Sequence, residues 1–152
     1  MAPGLLAMAT APKSTLLATA GRQLGHVQLL HLPPCPESRS RNPPLSTKPV
    51  PQKPPSATLS TLKSTTPIIA HSTALTTLSL TTSGRLVATT SSNGTLIRIW
   101  NTSTGAKVKE LRRGTDKAEI YGVSFRPDER EVCVWSDKGT IHVFSLGLSG
   151  TS

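Results

Sequence analysis

Arg112 and Arg113, followed at once by Gly114, are the residues of this chain best suited to chemistry, and that chemistry is anion binding. A guanidinium stays charged at any physiological pH and carries a rigid fork of donors matched to phosphate. The residues just before the pair read as a β-strand, and successive side chains on a strand leave opposite faces. The pair is therefore expected to splay, so that one dipeptide serves two separate anion sites. Gly114 lets the chain turn sharply where a side chain would obstruct. The blander reading is a charged strand end lying in solvent.

Nothing comparable points to catalysis. There is no Ser/His/Asp arrangement in a plausible context, no Cys/His metal spacing and no Gly-rich phosphate loop opening a helix. His26 and His31 are five apart on an expected strand and so face opposite sides. A binding protein without enzymatic activity, cofactor or metal is expected.

The 152 residues suffice for one ordinary domain, but the composition is uneven. Nine of the 13 prolines fall between Pro33 and Pro55, among many Ser, Thr and Lys residues and no aromatic one. Such a segment buries too little apolar surface to offset the entropy of ordering it, so 33–66 is expected to be a loose or disordered loop. The net charge of +9 is also lopsided: residues 1–66 carry 7 Lys/Arg against 1 acid, and 67–152 carry 10 against 7. A basic surplus favours nucleic acid or an acidic membrane surface. Aromatic residues make up only 3%, which argues against a stacking platform for single-stranded nucleic acid. Cys35 and Cys133 sit in settings too different for a disulfide framework, which fits a reducing, cytosolic compartment. The start lacks the charged flank of a signal peptide, and no apolar run is long enough to span a membrane. Membrane contact is expected to be peripheral.

The elements that must position the arginines are strands. Short runs of Val, Ile, Leu and Thr alternate with Gly, Asn-Gly and Pro-Asp punctuation. Strands are expected near 5–9, 15–20, 26–32, 67–70, 75–82, 86–91, 96–101, 107–112, 120–126, 131–136 and 141–146. Asn93-Gly94-Thr95-Leu96-Ile97 matches Lys138-Gly139-Thr140-Ile141-His142 at an offset of 45 residues. Units of that length, with four strands and an aromatic late in the fourth, mark blades of a β-propeller. The expected fold is all-β, a partial WD40-type propeller. Its parts are an incomplete blade at 1–32, the loop at 33–66, blades at 67–102 and 103–146, and a tail at 147–152. Fewer than three blades leave sheet faces uncovered, so marginal stability is expected. Trp100 and Phe144 should pack between blades, and Cys133 should act as a small buried hydrophobe.

On these motifs the chain resembles the PROPPIN family. Gly21-Arg22 and Gly25-His26-Val27 resemble its fourth blade, and Ile69-Ala70-His71 with Gly94-Thr95-Leu96-Ile97-Arg98 its fifth. Leu111-Arg112-Arg113-Gly114-Thr115-Asp116 and Ser136-Asp137-Lys138-Gly139-Thr140 resemble its sixth. The resemblance implies about two and three-quarter blades of a seven-bladed propeller. It also implies binding of phosphatidylinositol 3-phosphate and phosphatidylinositol 3,5-bisphosphate in autophagy, at pre-autophagosomal, endosomal or vacuolar membranes. An autophagy lipid-transfer protein is an implied partner, and nucleic acid is not. His71, Ser91, Thr95 and Arg112 fall on the positions of a first phosphate pocket, and Arg113, Ser136, Lys138, Thr140 and His142 on those of a second. Hydroxyls would donate to phosphate oxygens, and histidines would add charge near neutral pH. The chain departs from the pattern at Ala20, His31 and Asn101, and Asn93 stands where Lys is frequent. His71 also has a plainer reading, as a structural histidine common to WD40 repeats. The rival functional reading is a protein-interaction scaffold that takes no lipid; nucleic-acid binding through the basic stretch is a weaker third.

Overall fold

A computed structural model describes residues 4–33, 63–65 and 67–147. These residues form twelve strands: β1 (Leu6–Met8), β2 (Leu16–Ala20), β3 (His26–His31), β4 (Lys63–Ser64), β5 (Ile68–Ile69), β6 (Leu75–Leu80), β7 (Leu86–Ser91), β8 (Leu96–Asn101), β9 (Lys107–Arg112), β10 (Ile120–Phe125), β11 (Glu131–Ser136) and β12 (Ile141–Ser145). They form three antiparallel sheets. The first runs β1-β2-β3 with β4 and β5 both on the outer edge of β3, the middle one runs β6-β7-β8-β9, and the third runs β10-β11-β12. The fold is all-β, a partial propeller.

The alternation of each strand decides which gap a residue enters. Val87, Leu75 and Trp100 pack toward the first sheet, against Leu16, Val27, Leu29 and Ile68. Ala88, Ile97, Ile99 and Leu111 pack toward the third, against Ile120, Val132 and Val134. Ile97, Ile99, Val87 and Val132 have no exposed surface. Each such side chain contributes about 1.5–3 kcal/mol on leaving water. The innermost strands line up, with β6 beside both β1 and β10.

Two glycines seat the links between sheets. Gly25, in the β2–β3 turn, has φ +73°, and a Cβ there would lie 1.8 Å from the carbonyl oxygen of His71. Gly94, in the β7–β8 turn, has φ +64°, and its Cβ would lie 1.8 Å from that of Ala118. In both places the chain entering the next sheet lies directly on the turn, where only glycine leaves room.

The hydrogen-bonded sheets do not follow the repeat units expected at 67–102 and 103–146. The middle sheet spans 75–112, so the double-arginine strand β9 closes it as the fourth strand instead of opening the next unit. Trp100 and Phe144 accordingly lie on third strands, not fourth. In the first and middle sheets the outermost strands come from the segment leading to the next sheet, a pairing that a repeat in sequence does not reveal. The repeat also slips by one residue. Val87 pairs with Trp100, and Val132 with Phe144, so β7 and β11 correspond at an offset of 45 but β8 and β12 at 44. Within the Pro-rich stretch, Lys63 and Ser64 pair with His31 and Leu30, which corrects the loop expected to reach residue 66; most of 33–66, with Cys35, lies outside the described residues.

A double-arginine strand end between two sheet gaps

β9 carries Glu110 and Arg112 on one face and Leu111 on the other. Glu110 lies opposite Arg98, and Arg112 opposite Leu96. Arg98 in turn lies opposite Thr89 on β7. Thr89, Arg98, Glu110 and Arg112 therefore share the face turned to the first sheet, and Ser91, two residues beyond Thr89, shares it too. Leu111 belongs to the opposite cluster. Arg113 continues the alternation, since its amide donates to the carbonyl of Thr95 at 2.9 Å. Its guanidinium donates from Nε to the Gly94 carbonyl at 2.7 Å and from Nη2 to the Asp116 carbonyl at 2.5 Å. The two arginines thus leave the strand on opposite sides, as the pleat requires. Three N–H groups of Arg113 remain for another acceptor.

Around Arg112 the charge is one-sided. Glu110, on the same face, is held by Arg98 Nε at 2.8 Å and Lys107 Nζ at 3.0 Å. Those hydrogen bonds, from Lys107 foremost and then Arg98, hold its carboxyl below the usual range. That acid is thereby committed, and Arg112 is exposed, with no hydrogen-bond or salt-bridge partner for its guanidinium among the described residues. Ser91 is buried, and Thr95 half-buried at the mouth of β8.

His71 shares that face but not that role. It is 6% exposed, and its Nε2 lies 2.9 Å from Thr89 Oγ1. Trp100 Nε1 donates to the same hydroxyl at 3.1 Å. Burial first, and then the neighbouring Arg98 charge, push the imidazole down to about 4. The charge expected of His71 near neutral pH is therefore absent: this is the structural histidine of the plainer reading, tying the entry of β6 to β7 and β8.

On the other side of β9, β11 turns Val132, Val134 and Ser136 to the middle sheet, and β12 turns His142 and Phe144 the same way, since His142 pairs with Val134 and Phe144 with Val132. Thr140 Oγ1 lies 3.2 Å from His142 Nε2, so the two act as one unit. Ser136 is 1% exposed, and its hydroxyl has no hydrogen-bond partner among the described residues. That leaves a donor unused, but one a ligand reaches only if neighbouring side chains move. Lys138 is exposed and lies 3.8 Å from Asp137, whose other oxygen accepts the Glu119 amide at 3.1 Å. Arg113, Ser136, Thr140 and His142 thus border one gap, with no hydrogen bond joining the arginine to the other three among the described residues.

The profile of the PROPPIN family matches residues 58–152, which take in β4 through β12. The chain belongs to the PROPPIN family. Over 80 residues it is 49% identical to Autophagy-related protein 18 of Meyerozyma guilliermondii, covering 53% of this chain and 14% of that protein. It is 45% identical over 87 residues to SVP1-like protein 2 of Saccharomyces cerevisiae, covering 57% of this chain and 19% of that one. The solved structure of Kluyveromyces lactis Hsv2 superposes with a TM-score of 0.68 at 28% identity, over 92% of this chain and 37% of that chain. This PROPPIN chain therefore spans well under half the length of the relatives it matches.

Sequence reasoning missed the Arg98–Glu110–Lys107 triad that clears the surroundings of Arg112. The signal was present, since Arg98 and Glu110 are opposite charges on strands joined by a short turn. It also missed the carbonyl pair that fixes Arg113, which no residue type could have announced because the acceptors are backbone.

Proposed function

We propose that this PROPPIN segment reads phosphorylated inositol headgroups at two sites, one on each side of β9. The relatives are autophagy-related propellers, and the segment takes the same part, marking membranes that carry phosphatidylinositol 3-phosphate or 3,5-bisphosphate. Arg112 is the anion anchor of the first site, with Thr95 at its edge and Ser91 beneath. Arg113 is the anchor of the second, with Thr140, His142 and Lys138 as accessible donors and Ser136 as a buried one. The role is binding: charge and hydrogen bonds hold a phosphate, and no bond is made or broken. Two weak sites on one rim would act together on a membrane, multiplying the affinity of either. Contact is peripheral, and among the described residues no helix is long and apolar enough to cross a membrane.

The observation that carries this reading is the pair of neighbouring guanidinium groups on opposite sides of β9, one without a partner and one held by two carbonyls among the described residues. Vesicle flotation tests it. The chain should float with vesicles containing phosphatidylinositol 3-phosphate and not with those containing unphosphorylated phosphatidylinositol. The double change Arg112→Thr with Arg113→Thr should abolish flotation, and equal flotation of the changed protein would overturn the assignment.

A further inference from the structure

Thr115 stands three residues after Arg112 and two after Arg113. Among all the serines and threonines of the chain, it alone has an arginine at either of those distances before it. Protein kinases choose acceptors partly by charge pattern. Two arginines so placed suit a kinase whose peptide groove is lined with carboxylates, which hold guanidinium groups bidentately.

The fold presents that threonine to solvent. β9 is the outermost strand of the middle sheet, and Thr115 is exposed in the bend between β9 and β10, with Asp116 and Lys117 exposed beside it. A Cβ added at the preceding Gly114 would meet nothing within 4 Å, so the bend is open around its middle. Arg112 is exposed, and Arg113 is held by two carbonyls. A carboxylate is a stronger acceptor than either carbonyl, so a kinase groove competes well for both arginines.

The same geometry decides what a phosphate on Thr115 would touch. Arg113 Nη2 donates to the carbonyl of Asp116, the residue after Thr115, so its guanidinium lies over the bend. Three of its N–H groups are uncommitted. A phosphothreonine carries a charge of about −1.5 to −2 and three acceptor oxygens, and Lys117 supplies a second cation in the same bend. Arg112 leaves β9 on the opposite side and takes no part in that arrangement.

We propose that Thr115 is the phosphorylation site of an arginine-directed protein kinase, and that its phosphate occupies Arg113 in place of a headgroup. In the transfer, the threonine hydroxyl oxygen bonds to the γ-phosphorus of ATP. The bond from that phosphorus to the β–γ bridging oxygen breaks, ADP leaves, and the hydroxyl proton passes to a base of the kinase. The modified chain keeps the Arg112 site and loses the Arg113 site, and with it the gain from two sites acting together. This loss rests on the headgroup reading given above; the acceptor site and its contact with Arg113 do not.

Treatment of the full chain with the catalytic subunit of cyclic-AMP-dependent protein kinase and magnesium ATP tests the acceptor. Mass spectrometry should locate a phosphate on Thr115, and Thr115→Ala should take up none. No uptake by the parent, or equal uptake by the variant, would overturn the proposal. Phosphorus NMR then tests the contact. In the folded chain the second proton of the phosphate should leave well below its ordinary value of about 6, and in urea it should return there. The same midpoint in both would overturn the pairing with Arg113. Titration with a soluble 3-phosphorylated inositol headgroup should give one site in the phosphorylated chain and two in kinase-treated Thr115→Ala. Two sites in the phosphorylated chain would overturn the competition. No site in either protein would overturn the headgroup reading alone, with the NMR shift still upholding the contact.

Discussion

Arg113 donates from Nε to the carbonyl oxygen of Gly94 at 2.7 Å, bracing the arginine against the turn between the two central strands of the middle sheet. The second bond, to Asp116, fixes the plane of the guanidinium. A lysine has one charged nitrogen on a flexible stem and cannot hold both carbonyls while presenting donors outward. Arg113→Lys should weaken binding of a soluble 3-phosphorylated inositol headgroup by about tenfold, the equivalent of about 1.4 kcal/mol. Isothermal titration of the variant checks this, with Arg112→Lys as the comparison. Arg112 makes no such brace, so its lysine variant should lose less.

Gly94 itself admits no side chain. An added Cβ would sit 1.8 Å from the Ala118 carbonyl oxygen at a φ of +64°. Gly94→Ala should cost about 2–4 kcal/mol, combining left-handed backbone strain with displacement of the link into β10. Urea unfolding should show a lowered midpoint. Because the turn also carries the Arg113 brace, headgroup affinity should fall in the same variant even where it remains folded.

His71 makes stability depend on pH. In the unfolded chain its imidazole takes up a proton near 6.5, but in the folded protein only at about 4. Protonation thus favours the unfolded chain. The contribution is complete above 6.5 and shrinks as the pH falls toward 4. Between about pH 7 and about pH 5 the loss should approach 2 kcal/mol. Urea unfolding across that range should show the slope in the parent and a flatter one in His71→Gln. An equal slope in both would contradict the assignment of His71 to the buried network.

Most strands were legible because their signal is local. Leu96-Ile97-Arg98-Ile99 alternates between a glycine turn and a threonine-rich one, and the sheet follows that pattern. The splay of Arg112 and Arg113 was legible for the same reason, since it needs only the pleat. What could not be read was pairing between distant segments. Lys63 and Ser64 have no strand character of their own and are extended because β3 offers an open edge. Nothing in the composition of β9 says that it joins β8 and not β10. His71 was ambiguous because the same side chain suits a phosphate and a buried hydroxyl. Only the 2.9 Å approach of Thr89, with Trp100 on the same oxygen, decides its role.

Glu129 offers a test of how the middle and third sheets are joined. It holds a φ of 62° without being glycine. Its carboxylate accepts the Ser83 amide at 3.0 Å and lies 3.3 Å from Arg85 Nε. Burial opposes its charge, yet the hydrogen bonds from Ser83 and the Arg85 charge outweigh that and hold the carboxyl below its usual range. The carboxylate therefore adds stability above the unfolded carboxyl range, and loses it as the pH falls through the lower folded value. Glu129→Gln should cost about 1 kcal/mol at neutral pH and little in acid. Thermal melts at the two pH values would show the difference.

The central claim is that β9 serves two separate anion sites, and stoichiometry tests it most directly. Titration with a soluble 3-phosphorylated inositol headgroup should give two sites in the parent chain, one in Arg112→Thr, one in Arg113→Thr and none in the double variant. A single site that survives either change, or two sites that persist in the double variant, would contradict it.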